Sequence, residues 1–179
     1  MLIRDARAAE VPRLREIDWA AGLIFRDIGM PEAAEFEPRS VAELEDSRRA
    51  GLLWVATDGD GAEDGAPASF LMAVPLDGCL HIEQLSTGPA SARRGLGRAL
   101  LGHAAERARA GGLPALTLTT FADVPWNAPY YARCGFRILG DAEITPGLRT
   151  VRAHEIAFGL DRWPRVCMRR DLDARAFGP

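Results

Sequence analysis

The chain has 179 residues and a net charge of −3, with 47% hydrophobic and 26% charged side chains, the composition of a folded globular protein of about one domain. That charge gives no general attraction to nucleic acid, and no apolar run reaches the ~20 residues needed to cross a bilayer. All 22 basic side chains are arginine, which excludes a Walker A loop, because that motif needs its lysine on the phosphates.

Residues 2–7 read as a first strand. Residues 10–28 carry Val11, Leu14, Ile17, Ala21, Ile24 and Ile28 at the spacing of one helical face, and Gly29 and Pro31 end the run. A shorter helix is expected over 41–50, closed by Gly51. Residues 52–57 and 68–74 read as strands joined by the acidic loop 58–65. That loop lacks the distal glutamate and flanking helices of a calcium site, so a hairpin tip is expected, and no metal. A strand over 80–87, a helix over 95–110 ended by Gly111-Gly112, and a Thr/Leu-rich strand over 115–121 follow. A short helix over 128–133 stops at Cys134-Gly135. Strands over 136–139 and 166–170 complete the chain, with a helix over 148–159 between them. The order βααβββαβαβ(α)β mixes hairpins with one right-handed crossover, from 80–87 to 115–121, and places the chain in the α/β class, α+β type. With no repeat or linker, a single domain over 1–179 is expected.

The sharpest local signal runs from Pro89 through Ala92-Arg93-Arg94-Gly95-Leu96-Gly97-Arg98 to Leu101. A strand ends, a loop turns, and two glycines open an amphipathic helix. Free backbone N–H groups at a helix start, with the positive end of its dipole, attract phosphate. Glycine at 95 and 97 lets a ligand approach the backbone, and Arg93, Arg94 and Arg98 add charge. The two glycines alone are equally compatible with close helix–sheet packing. A dinucleotide fingerprint wants a small residue at position 100, where Leu100 stands.

This motif, followed one crossover later by Tyr131-Ala-Arg-Cys-Gly135-Phe136, resembles the GNAT superfamily of acyl-CoA N-acyltransferases. The resemblance implies a GNAT fold, a central mixed but mostly antiparallel twisted sheet of about seven strands flanked by helices. It also implies acetyl-CoA as cosubstrate, an amine acceptor on a small molecule or peptide, and often a homodimer. On matching positions, Leu85, Ser86 and Thr87 occupy the stretch whose backbone pairs with the pantetheine arm. Arg93, Arg94, Gly95, Leu96, Gly97 and Arg98 occupy the pyrophosphate loop. Tyr131 occupies the tyrosine that protonates the departing thiolate. Two positions depart from the family. Ala92 stands where Gln or Arg is frequent, and Val124 stands where an Asn often lies near the coenzyme. The chain's one asparagine, Asn127, is read instead as the N-cap of the short helix.

For the base, residues 81, 83, 85 and 87 share a strand face, and Glu83 is the candidate to accept the amine's proton, directly or through water. A structural salt bridge or hydrogen bond is the equal alternative for Glu83; His81 and His103 read as structural. Trp19, Phe25, Trp126 and Trp163 are expected to pack rather than line an acceptor pocket. The reading is a cytoplasmic bacterial N-acetyltransferase. Its rival is a non-catalytic acyl-CoA-binding domain acting as sensor or assembly module. Three widely spaced cysteines without a Cys-x-x-Cys pair fit a reducing compartment.

Overall fold

Seven strands hydrogen-bond in the order β1-β2-β3-β4-β5-β7-β6 in the computed structural model, which describes residues 1–58 and 65–172. The body of the acidic loop expected as a hairpin tip, 59–64, lies outside the described residues, as do 173–179. The strands are β1 Leu2–Asp5, β2 Leu53–Thr57, β3 Pro67–Leu76, β4 Cys79–Thr87, β5 Ala115–Phe121, β6 Arg137–Ile138 and β7 Arg165–Asp171. The α-helices are α1 Val11–Gly22, α2 Val41–Arg49, α3 Leu96–Ala110, α4 Ala128–Arg133 and α5 Pro146–Ala157. β4 and β5 run parallel, whereas β1–β2, β2–β3, β5–β7 and β6–β7 are antiparallel. This is the mixed, mostly antiparallel sheet with flanking helices that the family resemblance implied. No helix among the described residues is long and apolar enough to cross a membrane. By backbone packing the chain divides into two units, Met1–Ala73 with Gln84–His103, and Val74–Glu83 with Ala104–Pro179.

In the first unit, Val11, Leu14 and Ile17 of α1 and Leu44 of α2 form one cluster with Ala6, Leu53, Val55, Phe70 and Met72. Strand β2 is buried along its whole length, which is why Leu53-Trp-Val-Ala reads as a continuous apolar run rather than an alternation. Trp54, between two members of that cluster, meets His103 of α3 edge-on, ring centroids 5.3 Å apart. Helix α2 starts at a capping box: Ser40 Oγ accepts from the Glu43 N–H at 3.2 Å, and Glu43 Oε2 accepts from the Ser40 N–H at 2.8 Å.

The helix expected over 10–28 is not continuous. A 3-10 turn, Ala8–Glu10, precedes α1, and after Gly22 the chain tightens into a second 3-10 segment, Leu23–Ile28. Three residues per turn rotates side chains off the 3.6-residue stripe. Ile24 and Ile28, expected on the buried face, are therefore exposed. Gly29, at φ +75°, ends the segment.

In the second unit β3 turns into β4 through Asp77 and Gly78, both left-handed at φ +48° and +73°, as a two-residue hairpin requires. The Asp77 carboxylate accepts the Gly147 N–H at 2.8 Å at the start of α5. Helix α5 begins two residues earlier than expected because Thr145 serves as its N-cap. Beneath it Leu148 packs with Leu139 and Cys167, flanked by Leu76 and Ile144.

Candidate active site

The candidate phosphate loop lies in the first unit. Arg93 and Gly95 are left-handed, at φ +61° and +84°, on either side of Arg94. Helix α3 then starts at Leu96, with its first loop-to-helix bond from the Ala99 N–H to the Gly95 carbonyl. Among the described residues the backbone N–H groups of residues 93 to 98 meet no acceptor. Successive free N–H groups of this kind are the donors from which anion sites are built. An L-residue pays about 1–2 kcal/mol for Arg93's backbone conformation. At Gly95 the left-handed angle, not a shortage of space, requires glycine, since an added Cβ would meet nothing within 4 Å.

The three arginines assigned to phosphate are not equivalent. Arg93 and Arg98 are exposed and have no ion-pair partner among the described residues. The Arg94 guanidinium is bound to the Asp58 carboxylate, which also accepts the Ser91 hydroxyl at 2.7 Å. Asp58 was missed by sequence reasoning; it lies 33 residues before Ser91, and no local pattern links them.

The parallel register of β4 on β5 covers Leu80, His81 and Ile82. His81 is buried, with Nδ1 3.0 Å from Thr117 Oγ1. Glu83, half-buried, is the last residue of β4 in the second unit, and Leu85, Ser86 and Thr87 follow in the first. There Gln84 and Ser86, on one strand face, donate to Asp18 Oδ1 at 2.8 and 2.7 Å. Asp18 Oδ2 takes the Arg39 N–H at 3.0 Å. Ser69 Oγ lies 2.7 Å from Thr87 Oγ1 and donates to the Ser86 carbonyl at 2.8 Å. The Ser86 and Thr87 side chains are therefore engaged with protein groups, and Leu85 is half-buried.

In the second unit the Tyr131–Phe136 motif is a helix stop. The Phe136 N–H returns to the Tyr131 carbonyl at 3.1 Å, and the Gly135 N–H to the Ala132 carbonyl at 3.0 Å. Gly135 is left-handed at φ +89°. The Tyr131 and Phe136 rings close the turn edge-on, 5.8 Å apart. These are the two return bonds and the apolar contact of a Schellman cap, and they explain the spacing Tyr-x-x-x-Gly-Phe. Burial pushes the Tyr131 phenol above its ordinary value, Cys134 adds to the shift, and the Arg165 cation opposes it.

Asn127 sits at the start of α4 but does not cap it with its side chain. The second helical residue is Pro129, which has no N–H to offer, so a cap must reach the third. Asn127 Nδ2 instead donates to Thr120 Oγ1 at 2.7 Å. Its Oδ1 is buried without a partner.

A second cluster, unread in the sequence, joins three elements of this unit. Glu155 of α5 accepts from Arg165 Nε and Nη2 at 3.0 and 2.7 Å, and also from Thr119 of β5 and from Arg152. Burial raises the Glu155 carboxyl, but the hydrogen bonds and charge of Arg165, with Thr119 and Arg152, outweigh it, so the net displacement is downward. Arg165 also covers the Phe121 ring at 4.5 Å, and Phe121 meets Trp163 edge-on.

Residues 12–136 match the model of the acetyltransferase (GNAT) family. Among solved structures, the chain resembles N-acetylglutamate synthase from Neisseria gonorrhoeae, complexed with coenzyme A and N-acetyl-glutamate. The TM-score is 0.68 at 17% identity, over 96% of this chain and 35% of that one; this chain thus spans about a third of that protein's length. The ribosomal-protein-S18-alanine N-acetyltransferase of Escherichia coli gives 0.66 at 19% identity, over 99% of this chain and 97% of that one. The PaiA N-acetyltransferase of Thermoplasma acidophilum, in complex with coenzyme A, gives 0.65 at 14% identity, over 95% and 98%. At these identities the likeness establishes a shared fold.

Proposed function

The chain belongs to the GNAT acetyltransferase family, and from that membership we propose that it moves the acetyl group of acetyl-CoA to a primary amine by direct attack in a ternary complex. The acceptor is a small molecule or a peptide. The observation that carries the reading is the loop at 93–98, where consecutive backbone donors stand open at a helix start beside two unpaired arginines. A pyrophosphate matches that donor set, and its dianionic charge suits Arg93 and Arg98.

The coenzyme supplies the acetyl group as a thioester, already activated for transfer. In this reading the N–H groups of 93–98, with Arg93 and Arg98, hold the diphosphate. The backbone of Leu85, Ser86 and Thr87 lies past the end of the β4–β5 register at Ile82 and takes the pantetheine arm as an added strand. Glu83 receives the proton of the attacking amine, directly or through a water, leaving the lone pair free to attack. Tyr131 gives its proton to the departing sulfur. A phenol above its ordinary value of about 10 is fully protonated at neutral pH, and a thiol titrates near 8.5. The phenol is thus the weaker acid of the two, so its transfer to the thiolate is uphill, and the Arg165 cation, which opposes the upward shift, offsets part of that cost.

The proposed setting is a bacterial cytoplasm, to which three free, buried cysteines conform. The test follows free thiol released from acetyl-CoA across a panel of amines, amino acids and peptide N-termini. Release with at least one acceptor class is expected. Tight coenzyme binding with no release for any acceptor would leave a coenzyme-binding module in its place, and a chain that does not bind acetyl-CoA would overturn both.

A further inference from the structure

We propose that Asp58 is the positioning residue of the phosphate loop, clamping Ser91 and Arg94 so that the backbone from Arg93 onward presents its donors to a diphosphate. The inference rests on the coenzyme reading above and extends it to a residue outside the family motif.

Asp58 directly follows β2 and is mostly buried, its side chain 16% exposed. One carboxylate oxygen, Oδ2, accepts both the Ser91 hydroxyl and the Arg94 guanidinium. These two residues bracket Ala92 and Arg93, the apex of the loop. Arg93 holds a left-handed backbone at φ +61°, and a non-glycine residue keeps such a conformation only where its surroundings over-determine it. The loop is tied on its other side as well, by the Gly88 N–H to the Ala68 carbonyl at 2.9 Å. Between that bond and Gly95, the described contacts that anchor the loop to another strand run through Asp58. Ser91 is buried, and its hydroxyl proton is committed to Asp58.

A carboxylate beside a diphosphate site opposes the ligand electrostatically, so its presence needs an offsetting gain. Arg94 neutralises it, and the gain is order. N–H groups already held in place lose little conformational freedom when an anion arrives. The same pairing explains why the Arg94 guanidinium is turned toward protein while Arg93 and Arg98 remain open to a ligand.

The test compares dissociation constants for coenzyme A and for pantetheine, which lacks the pyrophosphate, in the full chain and in Asp58→Ala and Asp58→Asn. Asp58→Ala is expected to weaken coenzyme A roughly tenfold, while pantetheine shifts less than about twofold. Asp58→Asn keeps an acceptor for Ser91 but not the ion pair, and its loss should be intermediate, about threefold. Because the asparagine side chain has the same shape, it also serves should the alanine variant not fold. Coenzyme A affinity unchanged in both variants overturns the proposal. So does tighter binding, which would make Asp58 a competitor for Arg94, and so does an equal loss for both ligands, which would mean general unfolding. A parent chain that does not bind coenzyme A overturns the functional reading instead, and the two failures are thereby distinguished.

Discussion

The loop at 93–98 and the turn at 131–136 use the same part, a helix terminus with a left-handed glycine, and finish it in opposite ways. At the first, Gly95 leaves a row of donors open to solvent; at the second, Gly135 closes the last carbonyls with two return bonds and a ring pair. An open terminus on an exposed loop costs nothing while water fills it, and it remains free to take an anion. A closed terminus has no capacity left for a ligand, so its contribution is to hold one side chain, Tyr131, in place. Open groups therefore point to binding in the first unit. Closed ones point to positioning in the second.

The largest expected effect tests how firmly the closed region is held. Glu155→Ala removes one member of a buried ion pair and leaves Arg165 uncompensated, at a cost of about 3 kcal/mol in urea unfolding at pH 7. Arg165, Thr119 and Arg152 hold the folded carboxyl below its ordinary value against the effect of burial. This stabilisation is complete above the unfolded value of about 4.3 and fades as pH falls through the folded value. The gap between variant and parent should narrow from pH 5 to pH 3, and a gap independent of pH would contradict the ion-pair account.

Next is Tyr131→Phe. If the cap exists to aim a proton donor, kcat falls about 100-fold with coenzyme affinity nearly intact, as for loss of a general acid. Burial keeps the phenol protonated well past neutrality, so the parent enzyme should show no falling limb from this group below about pH 10. An undiminished kcat where chemistry limits the rate removes Tyr131 from the mechanism.

The two glycines give a direct comparison. Gly135→Ala should cost about 1–2 kcal/mol of stability, because a left-handed alanine is strained and relaxing the turn would break its two return bonds. Gly95→Ala should cost less stability but weaken coenzyme A roughly tenfold, since an exposed loop escapes the strain by losing its donor geometry. Equal stability losses with unchanged affinity would erase the contrast. The smallest effect is expected from Arg93→Ala or Arg98→Ala, about threefold in coenzyme affinity at low salt. Both losses should shrink in 0.5 M salt, because exposed charges are screened.

Much of this was legible in the chain because it is local. The stripe Val11, Leu14, Ile17 placed α1 on its core, the glycines at 95, 97 and 135 marked two helix ends, and the family resemblance singled out Tyr131 and Phe136. Other local signals were present but unread. Ser40-x-x-Glu43 is a capping box, and Asp77-Gly78 is the commonest type of two-residue hairpin turn. Pro129, two residues after Asn127, already removed one of the two N–H groups a cap can reach. The break at Gly22 was not legible, since a stripe through Ile24 and Ile28 reads the same whether or not a buried surface lies beneath it.

Sequence by itself determined the element order, the two motifs and the residue types assembled at each, because caps, turns and amphipathic faces depend on neighbours within a few positions. Only the tertiary structure decided which polar groups are already engaged. Asp58 reaches Ser91 and Arg94, Asp18 reaches Gln84 and Ser86, and Glu155 reaches Thr119 and Arg165. Most of these partners are brought together by strand pairing and helix packing across 33 to 68 residues of chain, and a side chain's remaining capacity to bind is set by the contacts it has already made.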